Sequence, residues 1–360
     1  MVLLRTVGGM IFLRVDHSAE SGESVSGHKN PTLPTKGPAT GGIPASVPKA
    51  ASSKISNLPE PIGFLNRTYD ELEVVLDPNT KCIWCYQRPK GPPSFTPGMI
   101  CELTVLHREI QALAVAQGPH EEPLIRYYVL ASQIPGIYSM GGDLLFLADR
   151  VRKRDRKAIG WYAHRCVDVV YNLAAGFNCG IVTVALVQGD ALGGGLESAL
   201  SCNFIVVERS AKIGTPEILF NLFPGMGAYS MLSRRLGSAM AERIILSGRI
   251  YSADEMYDLG VVDLVVENGC GEAAVRDYIG DTRKYGARQA IYRARQRTNP
   301  LTLAELRDIT EIWVETAMRL SDADLRRMIH LQSAQNRRLR RHAASPPLGA
   351  SEPRAPGEQP

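Results

Sequence analysis

The chain has 360 residues, 44% of them hydrophobic and 22% charged, with a formal charge of +4 at pH 7. That balance describes a globular protein and excludes a wholly disordered polymer, and so small a net charge offers no argument for a nucleic-acid partner. The longest apolar runs, such as residues 181–187, stop far short of the ~20 residues that a membrane helix needs, so no membrane insertion is expected.

Residues 1–15 alternate apolar side chains with Arg5 and Arg14 but hold no sustained apolar core or small-residue cleavage site of a signal peptide. Residues 16–61 are rich in Ser, Gly, Pro, Ala and Lys and cannot bury enough apolar surface to offset their ordering entropy. Residues 1–61 are therefore expected to be a disordered leader. A strand over 71–76, a turn at Asp77-Pro78-Asn79-Thr80 and a partner strand over 82–88 read as a hairpin. Thr96-Pro97 gives the start of a helix, with Thr as its cap and Pro in its first turn, carrying Leu103, Leu106, Ile110 and Leu113.

Further on, strands and helices alternate. Residues 126–132, 182–187 and 204–207 read as strands. Ile159, Tyr162, Cys166, Val170 and Leu173 mark one face of a long helix, and 192–200 opens another. Alternation of this kind predicts an α/β fold with right-handed crossovers. Past about Gly271 the strands stop. Residues 283–342 read as entirely helical and 343–360 as a Pro/Ala/Ser-rich tail.

The seven cysteines are an odd count without framework spacing, which points to a reducing cytoplasm rather than a secreted disulfide scaffold. Cys82 and Cys85 form a C-x-x-C, but strand alternation sends their sulfurs to opposite faces. No second pair completes a zinc site, so they read as core residues and no metal is assigned.

The chemistry gathers around glycine. The buried strand ending at Val187 runs into Gln188-Gly189-Asp190-Ala191-Leu192-Gly193-Gly194-Gly195-Leu196-Glu197. Glycines there let backbone N–H groups approach a ligand, and a helix N-terminus adds positive potential. A phosphate cradle is excluded because no Lys-Ser/Thr follows and the spacing is not G-x-G-x-x-G. A second glutamate stands in Gly214-Thr215-Pro216-Glu217, and an earlier turn, Ser139-Met140-Gly141-Gly142-Asp143, follows another strand. Two backbone donors can hold an oxyanion, either the enolate of a thioester or a tetrahedral intermediate. Two carboxylates in a dry pocket can differ in protonation, one giving a proton while the other takes one. A lone Glu197 would read as a residue that merely complements the helix dipole; the pair makes it a catalytic candidate.

The G-G-D turn, the A-L-G-G-G-x-E segment, the G-x-P-E after it and Phe223-Pro224-Gly225-Met226-Gly227-Ala228 resemble the crotonase (enoyl-CoA hydratase/isomerase) superfamily over roughly residues 65–280. Ile250-Tyr251-Ser252-Ala253-Asp254-Glu255 and Leu259-Gly260-Val261-Val262-Asp263 extend that match. Leu219-Phe220-Asn221-Leu222-Phe223-Pro224-Gly225-Met226-Gly227-Ala228-Tyr229-Ser230 and Ile309-Thr310-Glu311-Ile312-Trp313-Val314-Glu315-Thr316-Ala317-Met318 narrow it to the diffusible signal factor synthases. The resemblance implies a crotonase-type ββα spiral core over 62–282, a helical C-terminal region and a homo-oligomer, trimer or hexamer.

It further implies a 3-hydroxyacyl thioester substrate on acyl carrier protein, dehydrated to the 2-enoyl form and hydrolysed to a cis-2-unsaturated fatty acid signal without a cofactor. A sensor-kinase receiver domain is an implied partner. Residue by residue, the resemblance makes Glu197 and Glu217 catalytic and Gly142 and Gly194 the oxyanion donors, with Gly141 as the alternative to Gly142. It places Leu192, Met226 and Trp313 in the acyl pocket; for Trp313, simple core packing is the competing reading. An ordinary acyl-CoA hydratase or isomerase, and a regulator that binds acyl thioesters without turnover, are the rival functions. Arg326-Arg327 and the basic run 337–341 read as a solvated helix face, or as a dock for an acidic carrier protein.

Overall fold

The computed structural model describes residues 2–7, 10–15, 64, 67–117 and 122–344, with side chains described from Phe64 onward as far as residue 333. The chain divides into two units, Met1–Leu58 and Pro59–Pro360. In the first, β1 (Val2–Val7) pairs antiparallel with β2 (Met10–Val15), inside the stretch expected to be leader. The rest of that stretch up to residue 63, and the tail from 345, lie outside the described residues.

The second unit opens with β3 (Leu72–Asp77) and β4 (Cys82–Gln87), the expected hairpin. Its turn is closed by Asp77, which accepts from the Asn79 N–H at 3.0 Å and the Thr80 hydroxyl at 2.9 Å. Helix α1 (Pro97–Ala116) follows, with Thr96 as its N-cap accepting from the Met99 N–H at 3.0 Å. Then come β5 (Tyr127–Ser132), β6 (Ile137–Ser139), α2 (Leu144–Arg152) and α3 (Arg156–Ala174). Next are β7 (Val182–Val187), β8 (Asp190–Leu192) and α4 (Gly194–Leu200), followed by β9 (Phe204–Glu208), β10 (Lys212–Gly214), α5 (Ala228–Leu236) and α6 (Ser238–Ser247). Strand β11 (Ile250–Ser252), α7 (Ala253–Asp258) and β12 (Leu264–Val266) precede α8 (Gly271–Gly280), α9 (Tyr285–Thr298), α10 (Leu303–Met318) and α11 (Asp322–Ala344).

Three successive passes follow one pattern: a strand in a large sheet, a three-residue strand in a small one, then helix. The large sheet has six strands in the order β12-β9-β7-β5-β4-β3, parallel except for the β3–β4 hairpin; the small one runs β11-β10-β8-β6. This is the α/β spiral expected from the sequence. Strands β5 and β7 are buried at every position, which explains their predominantly apolar sequences, because a parallel strand covered on both faces has no polar side to show. On one face Cys82, Trp84, Tyr127, Val129, Val184 and Leu186 pack with Val275 and Ile279 of α8. On the other, His107 of α1 meets the Tyr128 hydroxyl at 3.3 Å. Cys82 and Cys85 are both fully buried, one on each face, as strand alternation requires.

The C-terminal region is helical with breaks between α9, α10 and α11. Helix α10 lies along α3, held at its rim by Arg156 and His164 on Glu311, at 2.7 and 2.6 Å, and by Arg307 on Asp168 at 2.7 Å. These pairs are half exposed and contribute little individually. Among the described residues no helix is long and apolar enough to cross a membrane.

The Thr96 cap links strand and helix, since its hydroxyl also donates to Glu71 of the hairpin. Thr96→Ala is expected to cost about 1 kcal/mol in urea unfolding, in line with the loss of one N-cap. An unchanged midpoint would mean that Pro97 and the burial of Met99 define the helix start on their own.

Candidate active site

Two glycine turns face each other where the small sheet meets the helices. In the first, the Gly141 carbonyl accepts from the Phe95 N–H at 2.8 Å, and the Met140 N–H donates to the Pro93 carbonyl at 2.7 Å. Because C=O and N–H of a planar trans peptide point opposite ways, the Gly142 N–H is turned away from Phe95. Asp143 then caps α2, accepting from Leu145 N at 3.1 Å and Phe146 N at 3.0 Å.

In the second turn, Gly193 (φ +53°) follows β8 and Gly194 is the first residue of α4, where a backbone N–H has no intrahelical acceptor. The turns touch without side chains between them. A Cβ on Gly141 (φ +89°) would stand 2.8 Å from Gly194 N, and one on Gly194 would stand 3.3 Å from Gly142 N and 2.7 Å from the Met226 sulfur. Gly142 and Gly194 both line one cavity, whereas Gly141 is spent on the contact between the turns.

One turn into α4, Glu197 is 1% exposed, and its Oε1 accepts from the backbone N–H groups of Met226 at 2.7 Å and Ala228 at 2.9 Å. Glu217 lies on the 3-10 turn Pro216–Phe220; its Oε2 is buried and has no hydrogen-bond partner among the described residues. A Cβ on Gly193 would come within 2.3 Å of Glu217 Oε1, so the bare backbone at 193 is what leaves room for that carboxyl.

Burial pushes both carboxyls above the usual range. For Glu197 the N–H groups of Ala228, Met226 and Gly227 pull back against that rise, because they favour the anion. Glu217 lacks those donors, and the nearby Glu197 raises it further. Fixed backbone donors thus favour the anion on Glu197 more than on Glu217.

The cavity has a volume of about 50 Å³, room for a few water molecules. Met226 and Trp313 also line it. Trp313, 6% exposed, lies against Gly225, where a Cβ would come within 2.6 Å of the indole. Six of the seven residues named from the sequence thus meet at one place: Gly142, Gly194, Glu197, Glu217, Met226 and Trp313. Leu192 does not. It ends β8 and packs with Ile137 and Met140 in a separate apolar cluster. Tyr162 and Cys166, read from the sequence only as one face of a helix, also line the cavity. Their four-residue spacing on α3 is the signal that groups them.

The raised carboxyls carry a stability consequence. A carboxyl whose folded pKa lies above its unfolded value adds stability at acid pH, and that stability is lost as pH rises through the folded value. Glu217→Gln removes one such group. Its melting temperature is expected to gain on wild type from about pH 5 up to about pH 8, by several degrees in total, and to level off above that. Parallel melting profiles would show that the pair is not buried in solution.

Comparison with known proteins bears on this geometry. Residues 86–278 match the family model described as Enoyl-CoA hydratase/isomerase. Over 162 residues the chain is 33% identical to the mitochondrial methylglutaconyl-CoA hydratase of Rattus norvegicus, covering 45% of this chain and 49% of the relative. The chain spans about half the length of the curated relatives it matches first. Human mitochondrial delta3-delta2-enoyl-CoA isomerase superimposes with a TM-score of 0.61 at 19% identity, over 74% of this chain and 99% of that one. Pseudomonas aeruginosa DspI gives 0.55 at 24% identity, over 69% and 89%. At such identities these two likenesses speak for the fold.

Proposed function

The chain belongs to the enoyl-CoA hydratase/isomerase family, and from that premise we propose that it interconverts 2-enoyl and 3-hydroxyacyl thioesters of coenzyme A, with Glu197 and Glu217 as the acid–base pair. The observation that carries this reading is the unequal carboxyl pair facing the same cavity as the Gly142 and Gly194 amides.

In the hydration direction the thioester oxygen sits between the two amides, whose hydrogen bonds strengthen as negative charge collects there. Glu197, charged, takes a proton from water as the water oxygen bonds to C3. Glu217, neutral, gives its proton to C2. The pair ends with its proton on Glu197, and proton exchange with solvent restores the starting state. Dehydration runs the same steps backward. The resting distribution of the proton therefore suits addition of water.

Glu197→Gln and Glu217→Gln are each expected to slow hydration of a short 2-enoyl-CoA by ~10²–10⁴-fold, followed as loss of the conjugated thioester absorbance, with circular dichroism unchanged. Near-wild-type turnover by either variant would defeat the two-glutamate reading.

A second reading has its own support. The two segments that resemble the diffusible signal factor synthases meet on the cavity wall, Gly225 and Met226 from one and Trp313 from the other. On this reading the substrate is a 3-hydroxyacyl group on acyl carrier protein. After dehydration, water adds to the thioester carbonyl, the same amides hold the tetrahedral oxyanion, and the thiol leaves to release a cis-2-enoic acid. A receiver-domain partner belongs to this reading alone.

Mass spectrometry of acids released from a 3-hydroxyacyl carrier protein separates the two: free cis-2-enoic acid supports the synthase, and thioester-bound product alone supports the hydratase. On either reading Trp313→Ala is expected to change kcat/KM for long acyl chains more than for short ones, because truncating a buried aromatic removes up to ~3–5 kcal/mol of packing. An equal change at every chain length would make Trp313 a packing residue only.

A further inference from the structure

The geometry points to Tyr162 as a positioning residue for the Gly142 amide, acting through the two backbone segments that its hydroxyl joins. Resting on the reading of Gly142 as an oxyanion donor, this assigns a role in the reaction to a side chain outside the two glutamates and the two glycines.

Tyr162 projects from α3, is 3% exposed, and lines the cavity. Its hydroxyl donates to the Phe95 carbonyl at 2.5 Å and accepts from the Asp143 N–H at 3.1 Å. Those two groups bracket the Gly142 turn. Phe95 is also the residue whose N–H holds the Gly141 carbonyl at 2.8 Å and so sets the plane of the Gly141–Gly142 peptide. Phe95 and Gly142 form an isolated parallel bridge, a pairing one residue long that no neighbouring ladder extends. The Tyr162 hydroxyl ties both sides of that bridge to a helix.

The hydroxyl also interacts with the Cys166 thiol one turn along α3, a contact within the helix that positions no backbone of the turn. The Tyr162 ring packs on Phe146, with centroids 5.2 Å apart, and phenylalanine would serve that contact equally. The phenol is buried and pushed well above its ordinary pKa, chiefly by desolvation, so at neutral pH it is a neutral group able to donate and accept at once. A Cβ on Gly142 would stand 3.4 Å from the hydroxyl oxygen, which therefore also backs the turn from the side of α3. An amide whose orientation is fixed before substrate arrives stabilises developing charge without reorganising, and a small misplacement is costly.

Tyr162→Phe keeps the ring and removes the hydroxyl's hydrogen bonds to Phe95 and Asp143 together with its contact to the Cys166 thiol. The test measures hydration of a short 2-enoyl-CoA together with the absorption band of a bound dimethylaminocinnamoyl-CoA, which moves to the red when hydrogen bonds polarise its carbonyl. In wild type a red shift is expected. Its absence would defeat the oxyanion reading of Gly142 and Gly194 itself, and this inference with it.

In Tyr162→Phe most of that shift should disappear and kcat fall about 10- to 100-fold, with KM within about 3-fold of wild type. A variant that keeps the full red shift and a kcat within about 2-fold of wild type would overturn the role of Tyr162 while leaving the oxyanion hole intact. Should Tyr162→Phe fail to fold, fluorotyrosine at 162 preserves shape and changes only the strength of the hydroxyl as donor and acceptor. A displaced band and an altered kcat would then support the assignment, and a band and kcat identical to wild type would overturn it.

Discussion

The small sheet, the start of α4 and the cavity wall all depend on backbone touching backbone. A side chain at Gly189 would run into Gly136, at 2.0 Å from its carbonyl carbon; one at Gly195 would meet the Ser139 carbonyl oxygen at 2.2 Å; one at Gly141 would meet the Gly194 nitrogen. Three separate glycine contacts therefore bring the segment 136–141 onto the segment 189–195. Only this approach puts the amides of Gly142 and Gly194 on the same cavity. The β6–β8 pairing, irregular in register between Ile137 and Ser139, is the ladder that this contact allows.

The same constraint explains how two carboxyls can be afforded in one buried place. With Gly193 bare, Glu217 fits against the turn, and α4 carries Glu197 to the loop at Met226–Ala228 whose N–H groups satisfy it. Glu197 is thus solvated by the N–H groups of a neighbouring loop, while Glu217 Oε2 has no partner among the described residues. Burial raises both carboxyls, and that asymmetry favours the charge on Glu197. The apolar lining from α3 and α10 keeps water scarce around the pair, which maintains the difference.

Much of the large sheet was readable in the residues, because β5 and β7 are predominantly apolar and the β3–β4 hairpin carries its turn chemistry at Asp77. The small sheet was not. Strands β6, β8, β10 and β11 have three residues each, too short to display a period, so Leu192 was read into a helix that begins only at Gly194. On β8 its side chain belongs to the cluster with Ile137 and Met140 and does not line the cavity shared by the other six residues.

Trp313 shows the opposite case. Packing and cavity contact were alternatives in the sequence, and the structure satisfies both at once. Tyr162 and Cys166 read only as part of a helix face, because such a pattern does not say which part of the face borders empty space. The hydrogen bonds of Tyr162 join residues 67 and 19 positions away, a separation that no local pattern reports.

The contact between Gly225 and Trp313 has a consequence for how such a cavity diverges. The indole rests where a Cβ at 225 would be, so the aromatic wall is set by a missing atom on a neighbouring loop as much as by the tryptophan. A mutation to alanine at 225 would displace the ring as a unit, remodelling the chamber without touching a residue that bears on the reaction. Positions 225 and 313 therefore have to be substituted together if the chamber is to keep its shape.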